Sequence, residues 1–441
     1  MALAWFVVRL LAVTIGFAAL HGYAWLRLCR DTTRPGSKWR PIGAVLLGLL
    51  AAFGLLARFF APSGAPMGFQ QFVGWPGWIW FGVFMYLFGL LVVTEPLRWL
   101  LLRRRKTGEA ADSGAATGGA SQDGPVRAVE PEEPRRTPAA EQAPAKGPLA
   151  LARRAVAEPE GTPGGLSRRR VVSRAIGLGA SAIAVGTVGH GLYEAYRTPP
   201  LKPLTVALPK LDRRYDGYRI AIVGDTHFSM LRGRGYCERV VDRINSADAD
   251  LIAFVGDLAS NEADQIRRET EPLADLAARD GAYFVAGNAE HYVGADAWYD
   301  RVAELGMTGL PNTRVELPAF DLAGVNDLIV EQRGLDTETG PDFEAALGDR
   351  DPARPVVLLA HQPSAVDRLA GYGVDLQLSG HTHGGQMWPV HYLSRLRSGQ
   401  LTGLETHHGT QVYVTNGAGT NGPPIRVGAD ADITVMTLRS A

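Results

Sequence analysis

The residues best suited to do chemistry begin with His381 and His383, which stand one residue apart after an apolar, strand-like stretch. If the backbone is still extended there, the two side chains point to opposite sides and reach different metal ions. Glycines at 380, 384 and 385 let the backbone approach a bound group closely, because glycine has no Cβ. The pair alone is a weak signal, since a structural pair of histidines has the same spacing.

Four further polar clusters strengthen the signal, because each also follows a short apolar run. They lie at 225–227, 256–257, 287–291 and 361–363. Sites in open α/β sheets gather beyond the carboxyl ends of strands, so the five clusters together predict one shared site. A single aspartate after a strand is usually a helix cap, but capping explains five clusters poorly.

The ligand types in these clusters indicate which metals would bind. Carboxylate, imidazole and amide oxygen suit divalent Mn, Fe or Zn, and the absence of cysteine argues against a closed structural zinc site. Two such ions about 3.5–4 Å apart can hold a phosphate and activate a water for attack.

The elements that must position these clusters alternate along the chain. Strands are predicted at 218–223, 251–255, 283–286, 355–360 and 376–379, with helices at about 235–246, 262–279 and 364–370 between them. Further strands are predicted at 412–414 and 433–438. The pattern predicts an α/β domain over residues 200–441.

The ordered motifs resemble those of calcineurin-like metallophosphoesterases, and the glycines after His383 resemble the membrane-associated branch typified by YkuE and YaeI. The resemblance implies a four-layer sandwich of two sheets flanked by helices. It also implies the metal ligands: Asp225, His227 and His383 for one ion, Asn288, His361 and His381 for the second, and Asp257 bridging both.

One position departs from the family pattern, which usually reads Gly-Asn-His followed by an acid. That histidine protonates the leaving group, and here the position is Ala289. His291 is therefore the predicted catalytic acid. Two alternatives stay open: a leaving group that needs little protonation, or a catalytically weak metal-binding sensor. Asn416 and Asn421, near Arg426, are weaker candidates for contact with phosphate, and the substrate-binding residues stay unassigned.

The first quarter of the chain has the composition of a membrane region. Within residues 1–106, apolar runs at about 4–26, 41–60 and 73–102 are each long enough to cross a bilayer. The loop between the first two runs is basic and the loop between the second and third carries no basic residue. The positive-inside rule therefore places the N-terminus outside the cytoplasm.

The region after these runs continues the topology. Residues 107–166 are rich in Ala, Pro, Gly, Glu and Arg, and are predicted to be a disordered cytoplasmic linker. Residues 167–195 resemble a twin-arginine export signal, with Arg168 and Arg169 as the arginine pair, and this resemblance would imply the twin-arginine machinery as a partner. The alternative is that these residues form an ordinary fourth span. Either alternative places residues 200–441 outside the cytoplasm.

These patterns together predict a multi-pass cell-membrane protein with an extracytoplasmic catalytic domain. The domain would be a binuclear metal-dependent phosphoric ester hydrolase that cleaves phosphomonoester, phosphodiester or pyrophosphate bonds, including those of envelope or lipid-linked compounds. The formal net charge of +0 gives no support for nucleic acid as a partner.

Overall fold

The computed structural model of the protein describes residues 2–60, 67–103 and 167–441. The predicted linker at 107–166 lies outside these residues. The N-terminal part is all helical and comprises α1 (Ala2–Trp25), continued by a π-helix (Leu26–Arg30), α2 (Trp39–Phe60), α3 (Met67–Val93), α4 (Glu95–Arg103) and α5 (Arg168–Tyr196). Four stretches of the described helices are long and apolar enough to cross a membrane: Leu11–Arg30, Trp39–Arg58, Gly68–Arg103 and Arg168–Tyr196. The predicted all-helical apolar region is therefore confirmed.

The first sheet of the C-terminal domain has six strands in the order β1, β12, β2, β3, β4, β5. Their bounds are β1 Leu201–Leu208, β12 Ile433–Ser440, β2 Arg219–Val223, β3 Leu251–Phe254, β4 Ala282–Phe284 and β5 Thr308–Gly309. Strands β2 to β5 are parallel, and β12 pairs antiparallel with β2. The sheet is therefore mixed, with a parallel half from which three of the polar clusters emerge.

The second sheet also has six strands, in the order β10, β11, β9, β8, β7, β6. Their bounds are β10 Gly403–His407, β11 Thr410–Val414, β9 Leu376–Ser379, β8 Val356–Leu359, β7 Asp321–Gly324 and β6 Thr313–Glu316. Strands β7, β8, β9 and β11 are parallel, whereas the two edge strands run antiparallel to their neighbours.

The α-helices described in this domain are α6 (Arg234–Asn245), α7 (Arg267–Thr270), α8 (Asn288–Val293), α9 (Ala295–Glu304), α10 (Ile329–Arg333), α11 (Phe343–Leu347) and α12 (His391–Ser398). Short 3-10 helices lie at Arg213–Tyr215, Ala263–Ile266, Glu271–Asp275, Pro363–Arg368 and His383–Gly385.

Three apolar cores show the layering. One core, which includes Ile222 and Leu378, lies between the two sheets. A second packs α6 and α9 on the first sheet around Trp298, and a third packs α11 on the second sheet around Leu358. The order helix, sheet, sheet, helix confirms the predicted four-layer sandwich.

Some local predictions differ from the structure. The helix predicted at 262–279 is instead a chain of short helical turns ending at Asp275, because Pro272 lacks the N–H that an α-helix needs inside its length. The helix predicted at 364–370 is a 3-10 helix. Strand β1 was not predicted and contains Pro203, which is tolerated because β1 is an edge strand that pairs with β12 alone.

Candidate metal centre

All seven predicted metal ligands meet at the carboxyl ends of five strands. Asp225 and His227 follow β2, Asp257 follows β3, and Asn288 follows β4 in the first sheet. In the second sheet His361 follows β8, while His381 and His383 follow β9. Because the two sheets pack face to face, these strand ends bring their loops into one place.

The first cluster joins Asp225, His227, Asp257 and His383, whose ligand atoms lie within 4.8 Å of one another. The two histidine Nε2 atoms are 3.1 Å apart. Nε2 of His227 lies 3.3 Å from Oδ2 of Asp257, and Nε2 of His383 lies 3.3 Å from Oδ1 of Asp225. Ligands bound to one ion at about 2.0–2.2 Å stand about 3.0–3.5 Å apart, so this spacing suits a single ion.

The second cluster joins Asn288, His361, His381 and the same Asp257. Oδ1 of Asn288 lies 2.7 Å from Nδ1 of His381 and 3.2 Å from Nε2 of His361. The His361 Nε2 atom is also 3.3 Å from Oδ1 of Asp257. Asp257 therefore turns one carboxylate oxygen toward each cluster, which is the geometry of a bridging ligand.

The backbone at the site is unusual, because five of the seven predicted ligands have a positive φ. The residues are Asp225 (51°), His227 (43°), Asp257 (51°), His381 (73°) and His383 (52°). Such conformations are costly for residues with a Cβ and tend to collect at functional sites. The expectation of an extended backbone at 381–383 is wrong, because β9 ends at Ser379 and a left-handed turn separates the two imidazoles.

The electrostatics of the site favour a bound cation. Burial lowers the pKa of His227 to about 4 and that of His383 well below its usual value, so both rings are neutral and offer a lone pair. Burial raises the pKa of Asp225 to about 7, because its charge is poorly solvated. Burial also acts to lower the pKa of His361, but the Asp257 carboxylate outweighs it and raises that pKa. A divalent cation would stabilise the charged form of both carboxylates.

Two hydrogen bonds orient the histidines. Nδ1 of His361 donates to the Val255 carbonyl at 2.8 Å, which leaves Nε2 directed at the second cluster. Nδ1 of His227 lies 2.9 Å from Oγ of Ser260, which fixes that ring in the same way. Partners of this kind set the tautomer of a metal-ligating imidazole.

Glu290 is a buried residue at the site to which the sequence analysis gave no role. Its carboxylate accepts hydrogen bonds from three backbone N–H groups, those of Gly287 at 2.8 Å, Asp257 at 3.0 Å and Ala259 at 2.9 Å. It thereby ties the loop after β3 to the start of α8. An acid three residues after a helix N-cap is a capping-box pattern, which is the signal that could have found it.

Close backbone approach holds the same two loops together. A Cβ on Gly287 would lie 2.4 Å from Oδ1 of Asp257, so only glycine fits at this position. The backbone N–H of Ala289 donates to that oxygen at 2.7 Å.

His291, the predicted catalytic acid, is buried against neighbouring protein groups. It is 3% exposed, and its Nδ1 lies 2.8 Å from Oε2 of Glu338. Its Nε2 accepts from the Asp327 N–H at 3.4 Å. Both ring nitrogens thus face protein groups, an arrangement that favours a packing role. The catalytic role of His291 stays a prediction.

The weaker phosphate candidates also have defined partners. Arg426 is fully buried and donates to four backbone carbonyls of its own loop region at 2.8–2.9 Å, so it orders that loop. Asn416 donates to the Asp430 carbonyl at 3.0 Å. Asn421 lines a cavity of about 510 Å³ that also reaches His227, Asn288 and Ala289. This cavity gives the metal centre its opening.

Comparisons with known proteins agree with the geometry. Residues 218–385 match the family described as calcineurin-like phosphoesterase. An uncharacterized metallophosphoesterase from Helicobacter pylori strain J99 is 33% identical over 274 residues, covering 62% of this chain and 72% of that protein. A transmembrane protein with metallophosphoesterase domain from Danio rerio is 31% identical over 295 residues (63% and 67%). The uncharacterized metallophosphoesterase YkuE from Bacillus subtilis is 31% identical over 291 residues (62% and 98%). The chain therefore belongs to the calcineurin-like metallophosphoesterase family.

Proposed function

We propose that the protein is a membrane-anchored hydrolase that cleaves phosphate esters with two divalent metal ions. The observation that carries the proposal is the pair of ligand clusters that share Asp257. Membership of the family supports the same reaction class. The proposal extends to phosphomonoesters, phosphodiesters and pyrophosphates, because the two clusters would bind the phosphoryl group that all three share.

The two ions would have separate sets of ligands that share one residue. One ion would be held by Asp225, His227 and His383, and the other by Asn288, His361 and His381. Asp257 would be a ligand of both. Bound there, Mn, Fe or Zn ions would polarise the phosphoryl oxygens and lower the pKa of a water. Asp225 and Asp257 supply the negative charge that retains the cations. His227 and Asn288 line the cavity, so the phosphate would enter from that side.

The proposed topology places three spans in residues 1–106, a fourth in 167–195 and the catalytic domain on the extracytoplasmic side of the cell membrane. The distribution of arginines at the two ends of the helices supports this topology. Four arginines line one cavity between the helices at one end: Arg27, Arg98, Arg168 and Arg169. Arg58, at the opposite end of α2, lies beside the metal-site cavity. The positive-inside rule assigns the end with four arginines to the cytoplasm. Export by the twin-arginine machinery is part of this proposal and depends on Arg168 and Arg169.

The experiment that tests the function compares Asp257→Asn with Asp242→Asn in the full chain. Asp257 lies between the clusters, whereas Asp242 is on the exposed surface of α6. Asp257→Asn should remove most hydrolysis of an aryl phosphodiester in the presence of Mn, and it should lower the bound metal, because the shared site loses its charge. Asp242→Asn should retain both. Full metal content and full activity in Asp257→Asn would overturn the assignment. Wild-type protein that binds two metals and turns over no ester would instead favour the sensor alternative.

A further inference from the structure

The cavity over the metal centre has one wall made by the membrane helices. Its catalytic side includes His227 and Asn288, and its opposite side includes Arg58 of α2 with Gln71 and Trp78 of α3. The metal centre therefore opens toward the ends of the helices that would cross the bilayer.

Close packing fixes this arrangement. Ile425, from the loop before β12, is fully buried among the helices. A Cβ on Gly82 of α3 would lie 2.1 Å from Ile425 Cδ1, and one on Gly191 of α5 would lie 2.5 Å from Ile425 Cγ2. The Arg426 N–H donates to the Gly191 carbonyl at 3.0 Å. The catalytic domain is thus docked against α3 and α5 by a side chain that fits only against glycines.

If α2 and α3 cross a bilayer, the cavity lies at the depth where the bilayer meets water. The apolar stretches of α2 and α3 are long enough to fill the hydrocarbon core, so their ends beside the cavity would reach the headgroup level. Trp75 stacks on Tyr196 at the same level, with ring centroids 5.5 Å apart. Aromatic residues concentrate at this boundary in membrane proteins.

The lining of the cavity is both cationic and apolar. Arg58 and Arg232 contribute positive charge, while Met230, Leu231 and Trp78 contribute apolar surface. Arg232 is 2% exposed, and its Nη1 has no hydrogen-bond partner among the described residues. A buried cation of this kind is stabilised by an anion beside it. A molecule that combines an anionic phosphate with an apolar chain complements such a lining.

We propose that the substrate is an amphiphilic phosphate ester that stays in the bilayer while its phosphate reaches the metal centre through this cavity. The inference rests on the proposed function and narrows its substrate class. The apolar chain would lie beside the ends of α2 and α3, and the phosphate would pass between Arg58 and Arg232 to His227 and Asn288.

The test uses the full chain in nanodiscs of dioleoylphosphatidylcholine with Mn. Two substrates, p-nitrophenyl methyl phosphate and p-nitrophenyl hexadecyl phosphate, share one leaving group and differ only in the chain. In both, water forms the new P–O bond, nitrophenolate leaves with the electron pair of the broken P–O bond, and the protons of the water pass to solvent. The measured quantity is the ratio of kcat/KM for the hexadecyl ester to kcat/KM for the methyl ester.

Gly74→Phe is the blocking variant, and Gly89→Phe on the same helix is its control. Gly74 lines the cavity, and an added Cβ there would contact Leu231 at an ordinary 3.6 Å. Gly89 is exposed, and an added Cβ would meet none of the described residues within 4 Å. Wild-type protein should favour the hexadecyl ester. Gly74→Phe should lower the kcat/KM ratio at least about tenfold, because that is the effect of displacing two methylene groups of the chain from an apolar site. Gly89→Phe should leave the ratio unchanged. If Gly74→Phe does not fold, Leu231→Trp, which enlarges another apolar side chain that lines the same cavity, should lower the ratio in the same direction.

A second measurement separates this inference from the proposed function. Once unbound Mn has been removed by desalting, the phosphorus NMR signal of hexadecylphosphonate, which has no ester to hydrolyse, broadens only when the phosphonate lies close to protein-bound Mn. Broadening that is lost in Gly74→Phe, with no turnover of either ester, would refute the proposed function and retain the lipid site. An unchanged ratio in both blocking variants, or a wild-type preference for the methyl ester, would overturn the lipid route. Absence of both broadening and turnover would overturn both proposals.

Discussion

Replacing Glu290 by glutamine tests whether a buried carboxylate holds the metal loops in place. The native carboxylate accepts from the N–H groups of Gly287, Asp257 and Ala259. A glutamine amide has one accepting oxygen, so its NH₂ group must face at least one of these donors. Removing the acceptor of one buried N–H costs about 1–3 kcal/mol. We therefore expect Glu290→Gln to lower the free energy of unfolding by about 1–3 kcal/mol.

The same change should weaken metal binding, because Asp257 and Asn288 both stand on the loops that Glu290 ties together. Groups that orient metal ligands are typically worth about 10–100-fold in metal affinity. The assay is calorimetric titration of Mn into metal-stripped, detergent-solubilised protein, together with its thermal unfolding. Glu238→Gln is the matched control. Glu238 is exposed and pairs with Arg234 at 2.9 Å on the surface of α6, where solvent screens the pair.

The two readouts refute different parts of the reasoning. Wild-type metal affinity in a destabilised Glu290→Gln protein would mean that the carboxylate supports the fold and does not set the ligand geometry. Wild-type values of both quantities would mean that the three hydrogen bonds have no net effect, which would contradict the argument from the buried donors.

Three further predictions follow from the site and the helices. Ala289→His should raise turnover of alkyl esters, which need a proton donor, by up to about 10²–10⁴-fold. His291→Ala should slow alkyl and aryl esters equally, because both ring nitrogens of His291 contact protein groups, Glu338 and Asp327, and a packing role does not depend on the leaving group. A selective loss on alkyl esters in His291→Ala would show that His291 is the acid after all. Chelation of metal should lower the midpoint of thermal unfolding, because Mn at 100 times its dissociation constant raises the free energy of unfolding by about 2.7 kcal/mol for each occupied site. An unchanged midpoint would contradict the metal assignment. A phosphatase reporter fused after residue 230 should be active outside the cytoplasm, whereas one fused within 107–166 should be inactive, and the reverse pattern would refute the topology. If export survives replacement of Arg168 and Arg169 by lysine, the twin-arginine route is excluded.

The sequence alone determined the identity of the candidate ligands and the class of the fold. Each ligand cluster follows directly after an apolar run, so local pattern is enough to place Asp257 after one strand and His361 after another. Parallel strands share a direction, and their carboxyl ends therefore meet at one edge without further information. The apolar helices were equally readable, because their signal is a continuous run whose length is set by the bilayer.

Tertiary structure decided what depends on contacts between distant segments. The separation of His381 from His383 arises from a left-handed turn that is held by hydrogen bonds from the His381 N–H to the Asp225 carboxylate at 3.0 Å. The orientation of His291 depends on Glu338, which lies 47 residues further along the chain. The opening of the metal centre toward the helix ends depends on Ile425 packing against two glycines of different helices. Local sequence encodes none of these contacts, because each is selected by close packing of surfaces that meet only in the folded chain.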